Sequence, residues 1–583
     1  MKKSIIILIA LCLSVLSCQQ NRITMVIGTI SNPTDSVITF GDETVPLNDR
    51  GEFYYKVEWN KPSDIVVVYN NTEILLYLAP SGELTVTFDG SDMINTIRFA
   101  GEEADMNNFL VSLARQSMTV SPWFDENWYN LYTKKEEDFI EVIDSLQDTF
   151  LDIFDHFKSN HGFRDTTFIN HLIADTWFSF NRLILLYPSQ YESFTGDDIS
   201  LSNTTIDRLT QTNIDDPGFI DLDHYESYCR DWIDYNLNEN LKTNESKRNY
   251  YLNRMDELFR LLPEMFSSPE VRDFWLAGYL SGHIERYGIS NSNEYISRFN
   301  DICVTPKYRQ QVEKALREKS DASRDHSVEV YKTVNGFNLE AHIFLPGTGT
   351  PEKKVPGIVL FHGGGWADGN PSWLFSRARH FAGKGMIAVS AQYRLSNQAD
   401  ITPIEGMEDA RDIIRWMRMK ADSLGLIPDS IVAYGYSAGG HLAAATAIFP
   451  GPDAGEYSAE PDALVLVSPA LDLVNDGWSQ YLLGSRADAG SISPAEHVRK
   501  NLPPTVILQG RDDTVTPLKG AQLFYNRMIA AGNDCELWIY DEVGHLFTPN
   551  TMRDDGWPRP DPHIQQEAFE QADEFLKKRG YMR

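Results

Sequence analysis

Residues 430–449 read SIVAYGYSAGGHLAAATAIF. An apolar run ends near Gly435, Ser437 follows, and an Ala-rich helical pattern begins at Ala438. This order predicts a buried strand, a tight turn that carries the serine, and a helix. Gly435 and Gly439 fit the prediction, because a turn this tight leaves no room for side chains on either side of the serine. Since a Gly-rich turn can produce the same pattern by chance, the rest of the chain must supply the partners of Ser437.

Strands and helices alternate from about residue 325 onward, around this stretch. This alternation predicts a mostly parallel sheet with helices on both faces. A hairpin precedes it, because residues 327–333 and 338–345 flank the turn Asn335-Gly336. The predicted later strands are Gly357–Phe361, Met386–Ala391, Ser430–Gly435, Ala463–Ser468, Thr505–Gln509 and Glu536–Tyr540, and the predicted helices are residues 372–384, 405–424, 438–448, 517–532 and 563–579.

A triple glycine follows the first of these strands, in His362-Gly363-Gly364-Gly365-Trp366. Such a loop lets backbone N–H groups point at the oxyanion of an acyl-transfer intermediate, which needs donors of this kind. In this motif the second and third glycines usually donate, which selects Gly364 and Gly365, and Ala438 adds a third N–H. We expect His362 to brace the loop and Trp366 to form a wall of the acyl pocket.

A carboxylate and a histidine follow two further strands. In ILQGRDDTVTP the spacing G-x-x-D-x-x-x-P selects Asp513 as the residue that orients a histidine, with Asp512 as the near rival and Asp472 as a weaker one. His545 lies after the final strand, in LWIYDEVGHLF. The order Ser437, Asp513, His545 is the one expected for a nucleophile on a strand–turn–helix in this fold.

Residues 321–583 therefore resemble the serine esterases of the α/β-hydrolase superfamily, through HGGGW and GYSAGG. SPAEHVRKNLPPTVILQG strengthens the resemblance to acetyl-esterase and carbohydrate-esterase-like members. The resemblance implies a Ser-His-Asp acyl-enzyme mechanism that removes short acyl groups, acetyl or feruloyl-like, from an alcohol such as an acylated oligosaccharide, with no cofactor and no metal. Two departures are His545-Leu546, where relatives often have His-Gly, and the insertion at residues 549–562.

Two other functions are compatible with this catalytic pattern. Serine exopeptidases of the prolyl-oligopeptidase type share the fold, but they usually carry a β-propeller, and residues 22–320 show no blade repeats. A surface binding lipoprotein with an inactive hydrolase domain is the other alternative, and the intact triad and triple glycine argue against it.

The preceding residues indicate two further domains. About seven short apolar runs separated by turn formers predict a small β-sandwich over residues 18–103. This layout loosely resembles the N-terminal β domain of some Gram-negative lipoproteins that precedes a thioredoxin module, although no C-x-x-C follows here. Residues 104–320 show helical periodicity and are rich in aromatic residues, which predicts a helical domain with an aromatic core. Its histidines lack a matching acidic or cysteine cluster, so we expect no metal site there.

The first residues have the pattern of an export signal. Lys2 and Lys3 precede an apolar run, and the stretch VLSC, ending at Cys18, resembles a bacterial lipoprotein box. This predicts a signal peptide over residues 1–17, a lipidated Cys18 that binds a membrane surface, and a location in the cell envelope. Ordinary signal-peptidase cleavage is the alternative.

Charge and cysteine content limit the partners. The formal net charge of −31 argues against binding of nucleic acid, because phosphates would be repelled. After loss of the signal and lipidation of Cys18, the remaining cysteines are Cys229, Cys303 and Cys535. The sequence leaves two states open, a Cys229–Cys303 disulfide or three buried free thiols.

Overall fold

Eight short strands with buried and exposed side chains in alternation form the N-terminal part of the computed structural model of this chain. The structure describes residues 22–59, 63–80, 82–161, 166–241, 250–347, 349–396, 401–449, 451, 456–552 and 558–582. The predicted signal peptide and Cys18 lie outside these residues. The chain divides into two compact units, Met1–Tyr235 and Asn236–Arg583.

The N-terminal strands form two four-stranded sheets, with orders β4-β1-β7-β8 and β3-β2-β5-β6. Their inward side chains share one core, in which Phe40 of one sheet stacks on Tyr55 of the other at 4.2 Å between ring centroids. The predicted β-sandwich is thereby confirmed. The strands are β1 (Arg22–Ser31), β2 (Val37–Phe40), β3 (Glu43–Pro46), β4 (Glu52–Trp59), β5 (Ser63–Tyr69), β6 (Thr72–Leu78), β7 (Glu83–Asp89) and β8 (Arg98–Gly101). Strand β3 is not among the predicted runs, because it is short and carries polar residues at an edge of its sheet.

Helices follow the sandwich and pack on it. The buried Asn107 side chain accepts from the backbone N–H of Tyr77 (2.8 Å) and donates to its carbonyl (2.9 Å), so it pairs with the edge strand β6 as a further strand would. Aromatic rings such as Tyr132, Phe139 and Tyr187 fill the helical core. The helices are α1 (Met93–Thr96), α2 (Ala104–Tyr132), α3 (Glu136–His161), α4 (Thr166–Thr195), α5 (Asn203–Thr210) and α6 (Tyr225–Leu241).

Four further helices belong to the second unit, so the region predicted as one helical domain, residues 104–320, is divided between the two units. These helices pack on the hairpin that follows them. Asn291 accepts from the backbone N–H of Asn338 (2.8 Å) and donates to its carbonyl (2.9 Å). The helices are α7 (Tyr250–Met265), α8 (Pro269–Tyr287), α9 (Asn293–Ile302) and α10 (Pro306–Ala322).

The rest of the second unit is built on an eight-stranded sheet of order β16-β15-β14-β13-β11-β12-β10-β9. The strands from β11 to β16 pair in parallel, and β10 and β9 add antiparallel strands at one edge. The strands are β9 (Ser327–Val334), β10 (Phe337–Phe344), β11 (Val355–Phe361), β12 (Ile387–Ala391), β13 (Leu426–Tyr436), β14 (Ala463–Val467), β15 (Thr505–Gly510) and β16 (Cys535–Tyr540). The predicted hairpin and parallel sheet are confirmed.

Helices cover both faces of this sheet over two buried apolar clusters. They are α11 (Phe375–Gly383), α12 (Pro403–Met419), α13 (Ala421–Leu424), α14 (Ala438–Ile448), α15 (Gly477–Leu483), α16 (Leu518–Ala530) and α17 (Pro562–Lys578). The fold is therefore that of an α/β-hydrolase. Among the helices in the described ranges, none combines the length and apolar character needed to cross a bilayer.

The three cysteines of the described residues, Cys229, Cys303 and Cys535, are all buried free thiols. Of the two states that the sequence left open, the structure therefore has the one without a Cys229–Cys303 disulfide.

Candidate active site

Ser437 lies on the turn between β13 and α14. Its φ and ψ are 53° and −119°, an unfavourable region for a residue with a side chain, which costs on the order of 1–3 kcal/mol. A Cβ added at Gly435 would lie 2.0 Å from the carbonyl oxygen of Gly439, and one added at Gly439 would lie 2.1 Å from that of Phe361. Both glycines are therefore required by contact with backbone atoms, as the sequence pattern predicts. The turn holds the serine at the carboxyl end of the sheet.

His545 and Asp513 meet Ser437 at that end. His545 Nε2 lies 3.1 Å from Ser437 Oγ, and His545 Nδ1 lies 3.0 Å from Asp513 Oδ2. In the tautomer that satisfies both contacts, Nδ1–H donates to the carboxylate and Nε2 accepts from the serine hydroxyl. The arrangement allows His545 to take the serine proton and Asp513 to orient the ring.

Asp513 is held by four further donors. Its Oδ1 accepts from the backbone N–H groups of Val515 (3.0 Å) and Thr516 (2.7 Å), while Oδ2 accepts from Gln509 Nε2 (3.0 Å) and Thr516 Oγ1 (2.9 Å). Its side chain is fully buried. Because the carboxylate is fixed from all sides, it can fix the imidazole of His545 in turn.

The two rival carboxylates point elsewhere. Asp512 is exposed and accepts from Asn550 Nδ2 at 2.8 Å. Asp472 accepts from the backbone N–H of Val474 at 3.3 Å, as part of its own turn. The described contacts therefore bring Asp513 to His545, the partner that the G-x-x-D-x-x-x-P spacing selects.

The triple-glycine loop, residues 362–370, lies directly against Ser437. A Cβ added at Gly363 would lie 3.3 Å from Ser437 Cβ. Gly364 has a φ of +109°, and a Cβ there would lie 2.1 Å from the carbonyl oxygen of Asp368. The loop therefore depends on glycine for a close approach and for its backbone conformation.

Three backbone N–H groups at this point remain available. Those of Gly364, Gly365 and Ala438 donate no hydrogen bond within the described part of the chain. Ala438 is also the first residue of α14, where the helix dipole adds partial positive charge. These are the three groups that the sequence analysis expects to hold an oxyanion.

The ring of Trp366 does not lie where the motif predicts. The motif predicts a wall of the acyl pocket, but the residue is only 4% exposed and belongs to the hydrophobic core. Its Nε1–H donates to His441 Nδ1 at 3.1 Å, and His441 Nε2–H donates to the carbonyl of Ile492 at 2.9 Å. The ring therefore supports the loop from the core side.

Burial keeps His441 and His362, the histidine of the loop, neutral. It lowers the pKa of His441 to about 4 and that of His362 to about 4. His362 Nδ1–H donates to the carbonyl of Gly363 at 2.7 Å, and Tyr393 donates its hydroxyl to the His362 carbonyl at 2.9 Å. His362 thus braces the loop, as expected.

Helix α8 holds the outer side of the loop, which the sequence analysis did not foresee. Arg286 Nη2 donates to the carbonyl of Ala367 (2.8 Å) and lies 3.0 Å from the Asp368 carboxylate. Asn370 Nδ2 donates to the carbonyl of Glu285 at 2.7 Å. The last turn of α8 therefore fixes the segment that follows the three glycines. The sequence contains no local signal for these contacts, because more than 80 residues separate the partners.

An exposed aromatic pair, Trp478 and Tyr481, lies on the other side of the loop on α15. Trp478 Nε1 donates to the carbonyl of Gly365 at 2.9 Å, and the two rings stack at 5.6 Å. Trp478 is 47% exposed and Tyr481 is 56% exposed. A flat aromatic surface thus borders the N–H groups of the loop. The sequence signal for it, two aromatic residues three positions apart on a short helix, is too common to have identified it.

The departure at Leu546 has a conformational consequence. Leu546, at the position where the resemblance implies glycine, has φ 49° and ψ 36°, in the left-handed region. For a residue with a side chain this conformation costs roughly 1–2 kcal/mol. Its N–H donates to Ser468 Oγ at 3.1 Å, which helps to hold the strained segment after His545.

The described flanks of the insertion at residues 549–562 fold back onto this segment. Asn550 N–H donates to the carbonyl of Glu542 at 3.0 Å, and Asp561 N–H donates to that of Phe547 at 2.9 Å. Residues 553–557 lie outside the described part. Among the described residues, no three His, Cys, Asp or Glu side chains are grouped so that they could hold a metal ion.

The chain is similar to known esterases in this region. Residues 342–461 match the BD-FAE family model, a stretch that includes the triple-glycine loop and Ser437. The chain is 28% identical over 176 residues to the acetylxylan esterase of Xylanibacter ruminicola, which covers 28% of this chain and 35% of that protein. It is 24% identical over 223 residues to esterase LipC of Mycobacterium tuberculosis, which covers 34% of this chain and 53% of that protein.

Similarity also extends to other proteins and to solved structures. The chain is 30% identical over 161 residues to methylphloroacetophenone synthase of Cladonia uncialis, covering 26% of this chain but only 6% of that protein. It thus spans about a third or less of the length of the first curated relatives that it matches. Thermogutta terrifontis esterase 2, solved phosphoramylated by tabun, is 35% identical, and the match covers 45% of this chain and 97% of that chain with a TM-score of 0.41.

Proposed function

We propose that this chain, whose C-terminal part is an α/β-hydrolase domain of the serine esterase type, hydrolyses carboxylic esters through an acyl-enzyme on Ser437. The observation that carries the proposal is the continuous hydrogen-bonded series Ser437–His545–Asp513, with distances of 3.1 and 3.0 Å. Ser437 itself lies on a strained turn, against a loop with available N–H groups. A serine held only for structure would need neither the strain nor the loop.

The reaction follows from these positions. His545 Nε2 takes the Ser437 proton as Oγ attacks the acyl carbon, and the N–H groups of Gly364, Gly365 and Ala438 hold the oxyanion that forms. As the intermediate collapses, the bond to the alcohol oxygen breaks and His545 Nε2–H protonates that oxygen. Water then attacks the acyl carbon of the acyl-serine and gives a proton to His545 Nε2. As this second intermediate collapses, the bond from the acyl carbon to Ser437 Oγ breaks, His545 Nε2–H returns the proton to Oγ, and the acid leaves.

We propose further that the ester carries a short acyl group, acetyl or feruloyl-like, and that its alcohol is a carbohydrate. Similarity to an acetylxylan esterase supports this substrate class. The exposed stack of Trp478 and Tyr481 beside the loop supports it too, because a flat aromatic face matches the apolar face of a sugar ring.

The first test uses the triad. Ser437→Ala should lower kcat for p-nitrophenyl acetate by roughly 10⁴-fold or more, since a triad acts as a unit. Asp513→Asn should lose far more activity than Asp512→Asn, which serves as the matched control. Full activity of Ser437→Ala would remove the proposal, and a larger loss in Asp512→Asn would move the acid to Asp512.

The second test concerns the substrate. The protein should release acetate from acetylated xylan or ferulate from a feruloylated oligosaccharide faster than it cleaves aminoacyl anilides. Preference for the anilides would instead support an exopeptidase of the prolyl-oligopeptidase type. Inactivity on every substrate would support the binding lipoprotein.

We also propose that lipidated Cys18 anchors the protein to a membrane of the cell envelope. The support is the stretch VLSC behind a basic and apolar N-terminus. Cys18→Ala expressed from the full gene should leave the membrane fraction, and an unchanged distribution would contradict the anchor.

A further inference from the structure

The first unit contains a cleft that lies apart from the proposed catalytic residues. It has a volume of about 790 Å³ and lies along α4, α5 and the segment that follows α5. A volume of this size lies within the roughly 300–1,000 Å³ typical of small-molecule sites. Its lining residues belong to the first unit, whereas Ser437, His545 and Asp513 belong to the second unit.

Aromatic rings form the apolar part of the cleft. Trp177 lines it and is 36% exposed, whereas Phe178 is buried and meets Phe219 edge-on at 5.7 Å. Trp177 thus presents an exposed indole at the surface of the cleft, beside rings that are buried in the core. It offers a flat apolar face to a ligand.

Amide side chains form much of the polar part. Asn170 and Gln211 line the cleft and have no side-chain hydrogen bond within the described ranges. Asn181 also lines it and is only 1% exposed. Its Nδ2 donates to Thr212 Oγ1 at 2.9 Å, but its Oδ1 has no partner among the described residues. A buried polar atom without a partner costs about 1–3 kcal/mol, which marks a site built for more than packing.

The charged side chains in the lining are engaged locally. Arg208 forms an ion pair with Asp144 at 2.6 Å. Asp216 accepts from the N–H of Gly218 at 2.9 Å and so caps the turn that follows. Because Arg208 is already paired with Asp144, it offers an anionic ligand little attraction. Its remaining groups suit a neutral ligand with many hydroxyl groups and an apolar face.

We propose that this cleft is a second, non-catalytic binding site for a short neutral oligosaccharide. One sugar ring stacks on Trp177, and its hydroxyl groups bond to the amides of Asn170 and Gln211. The inference does not depend on the proposed esterase activity, because it rests on residues that take no part in that chemistry.

The experiment measures binding without turnover. The full-length Ser437→Ala protein is titrated by calorimetry with xylotetraose, cellotetraose and mannotetraose, and with tetragalacturonate as the charged comparison. We expect saturable binding of at least one neutral tetrasaccharide. Trp177→Ala should weaken it by at least about tenfold, as loss of a buried aromatic contact does.

Two further variants guard against a folding artefact. Gln211→Ala changes an exposed side chain and should also weaken binding, whereas Tyr129→Ala changes an exposed aromatic residue elsewhere in the same unit and should not. In a chain with Ser437 intact, Trp177→Ala should leave the rate on p-nitrophenyl acetate unchanged.

Three results would overturn the proposal: no binding of any neutral tetrasaccharide, binding that is equal in Trp177→Ala, or binding of tetragalacturonate alone. None of these three results would contradict the proposed esterase activity. A loss of activity in Ser437→Ala would likewise say nothing about the cleft, so the two proposals fail separately.

Discussion

His441 forms hydrogen bonds through both ring nitrogens, so its protonation state determines whether both bonds can exist. Nδ1 accepts from Trp366 and Nε2–H donates to Ile492. A proton on Nδ1 would face the indole N–H and break that bond. His441, in the first turn of α14, thus joins this helix to the triple-glycine loop only while its ring is neutral.

This predicts a specific loss of stability in acid. The folded pKa of His441, about 4, lies below the unfolded value of roughly 6.5, so the unfolded chain binds the proton first as pH falls. The stabilising contribution is complete above about pH 6.5 and is lost between there and pH 4, at up to about 1.4 kcal/mol per pH unit.

The measurement is the free energy of unfolding of the second unit between pH 4 and pH 7.5. His441→Gln should reduce its slope against pH, even if the variant is less stable throughout. His563→Gln, at an exposed histidine, is the control. His362, whose pKa burial also lowers to about 4, contributes to the slope in both proteins. An unchanged slope in His441→Gln would therefore show that His441 adds nothing to it.

Helix α8 contributes to the site in a way that the sequence does not predict. Its last turn bonds to the loop through Arg286 and through the carbonyl of Glu285. The loop carries the N–H groups of Gly364 and Gly365, which we propose as oxyanion donors, and such donors act mainly on the transition state. A change in α8 should therefore alter kcat more than KM.

Arg286→Ala should lower kcat for p-nitrophenyl acetate by roughly tenfold with a smaller change in KM, because the loop loses two of its contacts. Arg286→Lys should recover part of the rate. Arg298→Ala on the neighbouring helix α9 removes an ion pair with Asp256 and a contact with the Phe259 ring, neither of which involves the loop, and should leave kcat unchanged. A normal kcat in Arg286→Ala would mean that the loop keeps its shape without α8.

The molecule as a whole divides at residue 235 rather than near 320, and this changes which fragment can act alone. Without α8, Tyr287 no longer covers the apolar cluster of Phe337, Leu339 and Ile401. A chain that begins at residue 321 also lacks Arg286 and Asn291. We therefore expect the second unit without these helices to expose this cluster and to lose contacts that hold the loop.

A chain of residues 236–583 should keep the rate of the full protein on p-nitrophenyl acetate. One of residues 321–583 should lose roughly tenfold or more in kcat, or precipitate. The comparison requires equal amounts of soluble protein measured side by side. Equal activity of the two chains would show that the helices before residue 321 do not support the site.

The local sequence pattern predicted the sheet. It also predicted that Ser437, Asp513 and His545 come together, because a parallel sheet brings the carboxyl ends of its strands to one edge. It could not predict Arg286 on Ala367 or Trp478 on Gly365, since these contacts join segments separated by 81 and 113 residues. The pattern also predicted the wrong surroundings for the Trp366 ring. A motif locates the backbone of a residue, but it does not determine whether the side chain packs in the core or lines the pocket.

The three buried free thiols can serve as native probes of local opening. Cys229 lies in the first unit, and Cys303 and Cys535 lie in the second, all shielded from solvent. A thiol reagent can reach each one only when the structure around it opens, so the labelling rate of each cysteine measures how often its own unit opens. Read by mass spectrometry, these rates would follow each unit separately without any introduced probe.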